Sequence, residues 1–261
     1  MALLPHFAAI WVLGYVDRFV LFGSIDDALL GRYEISYQVA ALVGIVALEL
    51  SRAAIAHYAL VGNAESLSIR NHLRRAEVTF LLAVLGMVSV GSGMAALLWA
   101  HIPFLSAYGF YDGTVGVVAA AQLPLAVYSL ASIRISNISG QTQRLWVASV
   151  GGALAGFSAL VLVVPTVDLT RIAFASVIGY STMMCIAWGL DSSLAPGRRW
   201  QMPAVVVVVA GTLALVNAML HGSIVVMLFL FGFGAVSLLL AARRWNDDGD
   251  SRDDALVDLT N

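Results

Sequence analysis

Charge is scarce in this sequence, and one charged residue type is missing altogether. Only 11% of the 261 residues are Asp, Glu, Lys or Arg, whereas about 25% is usual for a soluble domain. All 14 basic residues are arginine, because the chain has no lysine. Hydrophobic residues make up 60% of the chain, and the mean hydropathy is +0.88. The composition therefore excludes an ordinary soluble domain and predicts an integral membrane protein that contacts the lipid bilayer and binds no nucleic acid.

Paired cysteines and paired metal ligands are also lacking. The single cysteine, Cys185, lies in an apolar run and cannot form an internal disulfide. His6, His57, His101 and His221 fall at different predicted faces or membrane ends, without the spacing of a metal site. We interpret them as interfacial or packing residues and expect no metal and no other cofactor.

Apolar runs long enough to cross a bilayer, which takes about 20 residues, recur along the whole chain. The first run has no arginine before it and no small-residue cleavage site after it, so we expect it to stay as a helix. The sequence predicts spans near 4–23, 36–60, 78–100, 114–133, 145–165, 170–190, 203–220 and 223–242. The predicted fold class is all-α: a polytopic membrane helical bundle of about eight transmembrane helices within residues 1–242.

The arginines predict an orientation, because arginine-rich loops are retained on the cytoplasmic side. Only Arg32 and Arg171 would lie outside, and both termini would be cytoplasmic. The exclusive use of arginine is typical of a GC-rich genome, which suggests a bacterial or archaeal plasma membrane. Residues 243–261, RRWNDDGDSRDDALVDLTN, are acidic and hydrophilic, and predict a disordered cytoplasmic tail.

Four charged residues fall inside predicted spans: Asp17, Arg18, Glu49 and Arg52. Each costs about 2.5 to 3.5 kcal/mol at the centre of an inserted helix. Gln38 and Glu49 are 11 residues apart, near three full turns, and Arg52 lies one turn further at a spacing that permits an ion pair. Neighbouring residues point about 100° apart, so Asp17 or Arg18 needs a partner on another helix or water.

Two interpretations of these charges stay open. One is a hydrated cleft whose arginines receive an anionic substrate group. The other is a set of interhelical ion pairs that only hold the first two helices together. Both place the charges in the interior of the bundle.

Tyrosines and glycines complete the candidate features. Tyr33 and Tyr37 lie one turn apart and are candidates for the outer mouth of a cleft, beside the polar residues named above. Gly152 and Gly156 give a GxxxG spacing, which favours close helix packing, with a flexing point as the alternative.

The first forty residues carry a family resemblance. The stretch LLPHFAAIWVLGYVDRFVLFGSIDDALLGRYEISYQVA resembles the segment that opens the second half of bacterial polysaccharide biosynthesis proteins, the oligosaccharide (O-antigen-type) flippases related to the multidrug and toxin extrusion (MATE-like) fold. The parts that carry it are Leu4-Pro5, Asp17-Arg18, Gly31, Tyr33, Tyr37 and Gln38. The later stretch SGQTQRLWVASVGGALAGFSALVLVVP is similar to that family's polar loop, small-residue helix and exit proline.

The resemblance implies a transporter that moves a lipid-linked oligosaccharide or polysaccharide precursor across the membrane by alternating access. It implies that Arg18 and Arg52 bind the diphosphate, while Asp17 and Glu49 orient them or take part in ion coupling. Family members have two pseudo-symmetric bundles, whereas this chain has the length of one MATE-like bundle plus two helices. A homodimer, or a separate chain with the N-terminal half bundle, would then complete the transporter.

The sequence also differs from the family at one span entry, and two other functions compete with the transporter. The small-residue entry to the sixth span is replaced here by Asp168–Ala173. A non-transporting scaffold or partner subunit of an envelope-polysaccharide synthesis complex is the alternative function. A membrane enzyme on lipid-linked sugars is disfavoured, because the predicted outer loops are short and carry few acid–base groups.

Overall fold

A computed structural model of the chain describes residues 4–61, 67–103, 113–166, 168–191, 194, 200–219, 228, 230 and 232–243. Helices and short connections account for all of this part of the chain, and it contains no β-strand. The predicted all-α helical bundle is therefore confirmed. The predicted tail lies outside the described residues, apart from Arg243.

The described residues form eight α-helices. Their bounds are α1 Leu4–Leu21, α2 Asp27–Val61, α3 Leu67–His101, α4 Thr114–Arg134, α5 Leu145–Val163, α6 Leu169–Leu190, α7 Gln201–Met219 and α8 Gly232–Arg243. A five-residue π-helix, Ile135–Ser139, follows α4 directly. Short 3-10 turns precede and follow α5 at Thr142–Arg144 and Val164–Thr166.

Seven of these helices are long and apolar enough to cross a membrane, so the chain is a multi-pass membrane protein. Helices α1 and α4 to α7 agree with the predicted spans to within two residues at each end. Helix α2 begins nine residues earlier than predicted, and α3 begins eleven earlier. Only the second part of the predicted eighth span is described, where α8 runs over 12 residues.

Helix α4 is the centre of the bundle. It packs against α2, α3, α6 and α7, and 78% of its apolar stretch is buried, compared with 28% in α1. At two of these contacts an amide side chain lies against a glycine of the neighbouring helix. Gln122 of α4 covers Gly44 of α2, and Asn217 of α7 covers Gly116 of α4. A Cβ at either glycine would collide with the amide, so the small residues set the distance between these helices.

Helices α5 and α6 approach each other through glycine. Gly152 and Gly156, the predicted GxxxG pair, lie against Gly179 of α6. A Cβ on Gly179 would lie 3.2 Å from the Gly152 carbonyl oxygen and 2.6 Å from Cδ1 of Leu13, which belongs to α1. The close-packing interpretation of GxxxG is confirmed, and three helices meet at this point.

The entry to α6 shows why Asp168 departs from a small-residue pattern. Its carboxylate oxygen Oδ1 accepts hydrogen bonds from the backbone N–H groups of Thr170 at 3.0 Å and Arg171 at 3.2 Å. These donors have no partner within the helix, so Asp168 is a helix N-cap. Asp168 therefore has a local structural role at the start of α6.

We predict that Gly179→Ala destabilises the bundle by about 1 to 3 kcal/mol, because the added methyl group overpacks the contact between α1, α5 and α6. The measurement is the thermal unfolding midpoint of the purified protein in one detergent. Gly211→Ala is the matched control, since a Cβ there meets nothing within 4 Å. Equal midpoints for the two variants would contradict the close contact.

Candidate functional site

Six polar and aromatic side chains from three helices converge where α1 ends and α2 begins. This outer cluster consists of Asp17 and Arg18 of α1, Tyr33, Glu34 and Tyr37 of α2, and Tyr180 of α6. Four of the six were predicted as site residues. Glu34 and Tyr180 were not.

Asp17 is the most buried charged group of the outer cluster, with 3% of its surface exposed. Its Oδ2 accepts a 2.5 Å hydrogen bond from the Tyr33 hydroxyl, and its Oδ1 accepts a 2.8 Å hydrogen bond from the Arg18 backbone N–H. Both carboxylate oxygens therefore have donors. The prediction that the Asp17-Arg18 pair needs a partner on another helix is confirmed, and the partner helix is α2.

Arg18 is held on three sides. Its Nε lies 2.5 Å from Oε2 of Glu34, its guanidinium carbon lies 4.0 Å from the centre of the Tyr37 ring, and the Tyr15 ring is 4.9 Å away. Guanidinium groups stack favourably on aromatic faces. Glu34 also accepts a 3.0 Å hydrogen bond from Gln38. The charge on Arg18 is therefore matched by the Glu34 carboxylate.

Tyr37 and Tyr180 connect the cluster to the core of the bundle. Their hydroxyl oxygens are 3.4 Å apart, and both side chains are buried. Beside them a small recess opens between α1, α5 and α6, with Asp17 and Ser176 as its polar lining residues. The rest of the lining is apolar or glycine, so Asp17 is its only charged group among the described residues.

The remaining predicted site residues lie elsewhere. Gln38, Glu49 and Arg52 lie on the exposed face of α2. This corrects the expectation that Glu49 and Arg52 lie in the interior of the bundle. The predicted ion pair exists, since Arg52 Nη1 lies 2.5 Å from Glu49 Oε1. Each of the two charges therefore has its partner one turn away on the same helix.

A second charged cluster was missed by the sequence analysis. In this inner cluster Arg134, at the end of α4, pairs with Glu77 of α3 through Nη1 and lies 2.8 Å through Nε from Asp191 at the end of α6. The three side chains are 9%, 9% and 1% exposed. The available signal was that all three residues border predicted spans on the side predicted to be cytoplasmic.

His6 is also part of the interior. Its Nδ1 lies 3.1 Å from the Ser149 hydroxyl and 3.2 Å from the Tyr128 hydroxyl, which joins α1 to α5 and α4. This position agrees with the interpretation of His6 as a packing residue. Within the described residues, no three His, Cys, Asp or Glu side chains converge as a metal centre requires.

Comparisons with known proteins do not identify a family. No family model, no curated protein and no solved structure matches the chain. The site must therefore be interpreted from its own chemistry, and the resemblance to oligosaccharide flippases stays a prediction.

We predict that Tyr33→Phe destabilises the bundle by about 1 to 3 kcal/mol, because Asp17 keeps its burial but loses the hydroxyl donor. Tyr15→Phe is the control, since Tyr15 is exposed on α1 and Phe keeps its stacking with Arg18. Both are measured as thermal unfolding midpoints in the same detergent. A Tyr33→Phe midpoint equal to that of Tyr15→Phe would show that the Asp17 hydrogen bond does not hold α1 to α2.

A second prediction concerns the inner cluster. Arg134→Met leaves two carboxylates buried without their common cation, so we expect a loss of about 3 to 5 kcal/mol. Arg171→Met is the control, because the Arg171–Asp168 pair is exposed, and such pairs contribute about 1 kcal/mol or less. Chemical denaturation of the two variants in mixed micelles measures the difference. Similar losses would mean that burial does not strengthen the inner cluster.

Proposed function

We propose that this chain is one helical bundle of a transporter that moves a lipid-linked, diphosphate-bearing glycan precursor across a bacterial or archaeal plasma membrane by alternating access. The observation that carries the proposal is the outer cluster, where a membrane helix holds Arg18 and Asp17 against tyrosines and a replaceable carboxylate. Charges inside transmembrane helices usually mark a substrate or ion pathway. The proposal gives the chain no enzymatic step.

Exchange of partners on Arg18 is the proposed binding step. The guanidinium is already oriented by the Tyr37 ring, and Glu34 occupies the position that a phosphate oxygen would take. Guanidinium groups bind phosphate as well as carboxylate, through paired N–H donors. A diphosphate would therefore displace Glu34, and Glu34 would keep its hydrogen bond from Gln38.

Arg52, the other arginine that the family resemblance assigns to the diphosphate, lies further along α2 on its exposed face. It is paired with Glu49 as Arg18 is paired with Glu34. Glu34 and Glu49 are 15 residues apart, or about 22 Å along a helix. One diphosphate cannot reach both arginines at once, and the Glu49–Arg52 pair lies outside the outer cluster, so the proposed binding step involves Arg18 alone.

The helices that carry the outer cluster are anchored separately, which suits a movement between two states. Helix α1 packs mainly on α5, whereas α2 packs on α4 and α3. Direct contact between α1 and α2 is small, and it includes the Tyr33–Asp17 hydrogen bond and the Arg18–Glu34 ion pair. Alternating access also requires a second bundle opposite this one, from another copy or from a separate chain.

The test is a flipping assay in proteoliposomes with a fluorescent polyprenyl-diphosphate disaccharide and a membrane-impermeant quencher. We expect Arg18→Gln to lower the initial flipping rate about tenfold to a hundredfold, because a charge-assisted hydrogen bond is worth about 1.5 to 3 kcal/mol. Glu34→Gln should bind the diphosphate more tightly than the wild type, since the competing charge is gone. Binding is measured by titration in detergent.

Arg171→Gln is the matched control for the assay, because Arg171 is an exposed arginine at a helix start, away from the outer cluster. Its flipping rate should equal that of the wild type. Wild-type liposomes that bind the probe without flipping it would favour the partner-subunit alternative. Normal flipping by Arg18→Gln would remove Arg18 from the substrate path.

A further inference from the structure

Helix α2 carries two parallel stripes of residues, and only one of them packs against another helix within the described part of the chain. The buried stripe runs along α4 and consists of Tyr33, Tyr37, Ala40, Gly44, Ala47 and Ser51. The second stripe, the α2 seam, consists of Gln38, Leu42, Ile45, Glu49 and Arg52, all of them exposed. Both stripes step by alternating intervals of four and three residues.

Alternation of four and three residues is the spacing of a helix that packs along its length against another helix. The buried stripe follows that rule. Its Ser51 hydroxyl lies 2.9 Å from the Ser129 hydroxyl of α4, and at its other end Tyr33 and Tyr37 contact α1 and α6. The α2 seam follows the same rule, and no helix among the described residues packs against it. At its centre, Leu42 is 63% and Ile45 56% exposed.

The charges in the α2 seam separate it from an ordinary lipid-facing surface. Glu49 and Arg52 pair with each other, yet their side chains remain 58% and 68% exposed. They lie within the part of α2 that has the composition of a membrane span. An ion pair facing lipid keeps much of its desolvation cost, so a protein partner or water must cover it.

We propose that the α2 seam is the contact with a second copy of this chain, packed as a parallel α2–α2 pair. Two copies inserted with the same orientation are related by a two-fold axis along the membrane normal, which brings identical helices side by side. Each residue of the seam then lies opposite its own counterpart, which places Glu49 of each copy one layer, about one helical turn, from Arg52 of the other. The four charges neutralise one another, which makes the surface complementary to itself.

The apolar part of the seam fits the same partner. Leu42 and Ile45 occupy successive core positions between Gln38 and the ion pair, as in a two-stranded coiled coil with polar residues that fix the register. This inference rests on α2 alone and does not depend on transport. If the proposed function is correct, the pair would also supply the second bundle.

Cysteine crosslinking in native-like membranes tests the geometry, with Cys185→Ala as the background because Cys185 is the only cysteine. Ile45→Cys should form an intermolecular disulfide under mild oxidation, since core positions of a parallel pair bring the Cα atoms within disulfide reach. Val208→Cys on α7 is the control, because Val208 is exposed on an apolar helix but does not belong to the α2 seam. Crosslinking of both, or of neither, would overturn the proposal.

Charge exchange tests the partner without relying on disulfides. Glu49→Arg alone places four like charges at the seam and should abolish the dimer seen by native mass spectrometry in nanodiscs. The double variant Glu49→Arg with Arg52→Glu restores opposite charges across the pair and should restore the dimer. The proposed dimer would be refuted by a monomeric wild-type protein. It would also be refuted if the double variant were as monomeric as Glu49→Arg alone.

The dimer and the proposed function can fail separately. A wild-type dimer that crosslinks at Ile45→Cys but does not flip the lipid probe would leave the α2 pair standing and reject the transporter. Flipping by a protein that is monomeric in the same nanodiscs would reject the α2 pair and keep the transporter.

Discussion

The hydrogen bond from Tyr33 to Asp17 is the interaction on which the packing of α1 against α2 depends. A carboxylate with 3% of its surface exposed must have donors, and in an apolar bundle of this composition few are available. Helix α2 supplies the hydroxyl donor. Because α2 begins well before its apolar run, Tyr33 is helical and lies beside Asp17. The same register places Glu34 on Arg18 and the Tyr37 ring under the guanidinium. One buried charge thus fixes how α1 and α2 meet.

At the opposite end of the bundle, buried charges are also paired between helices. There Arg134 joins Glu77 and Asp191, so that α3, α4 and α6 share one cation. The helices also approach one another closely at glycines, namely at Gly44, at Gly116 and in the contact around Gly179. Dispersion between closely packed helices replaces the hydrophobic effect in lipid, which explains why glycine occurs where helices cross.

Hydropathy predicted nearly all of the architecture, because crossing a bilayer requires a long apolar helix whatever its neighbours are. It misplaced the starts of α2 and α3, where polar first turns extend the helix beyond the apolar run. Asp17 and Arg18 were predicted because a charge inside a span is costly without a partner, and Tyr33 and Tyr37 because they lie one turn apart at the predicted mouth of a cleft. Glu34, Tyr180 and the inner cluster were missed, since a charge at the edge of a span costs little until the fold buries it. Pairing between distant helices is not visible in local spacing.

The placement of Gln38 links the α2 seam to the outer cluster. Its side chain belongs to the exposed seam, yet it donates a hydrogen bond to Glu34, the carboxylate that holds Arg18. A partner helix against the seam would fix the rotamer of Gln38 and, through it, the position of Glu34. Release of Glu34 from Arg18 is the step that would admit a phosphate. Assembly at the seam and anion binding at Arg18 would therefore act on one carboxylate, although neither requires the other.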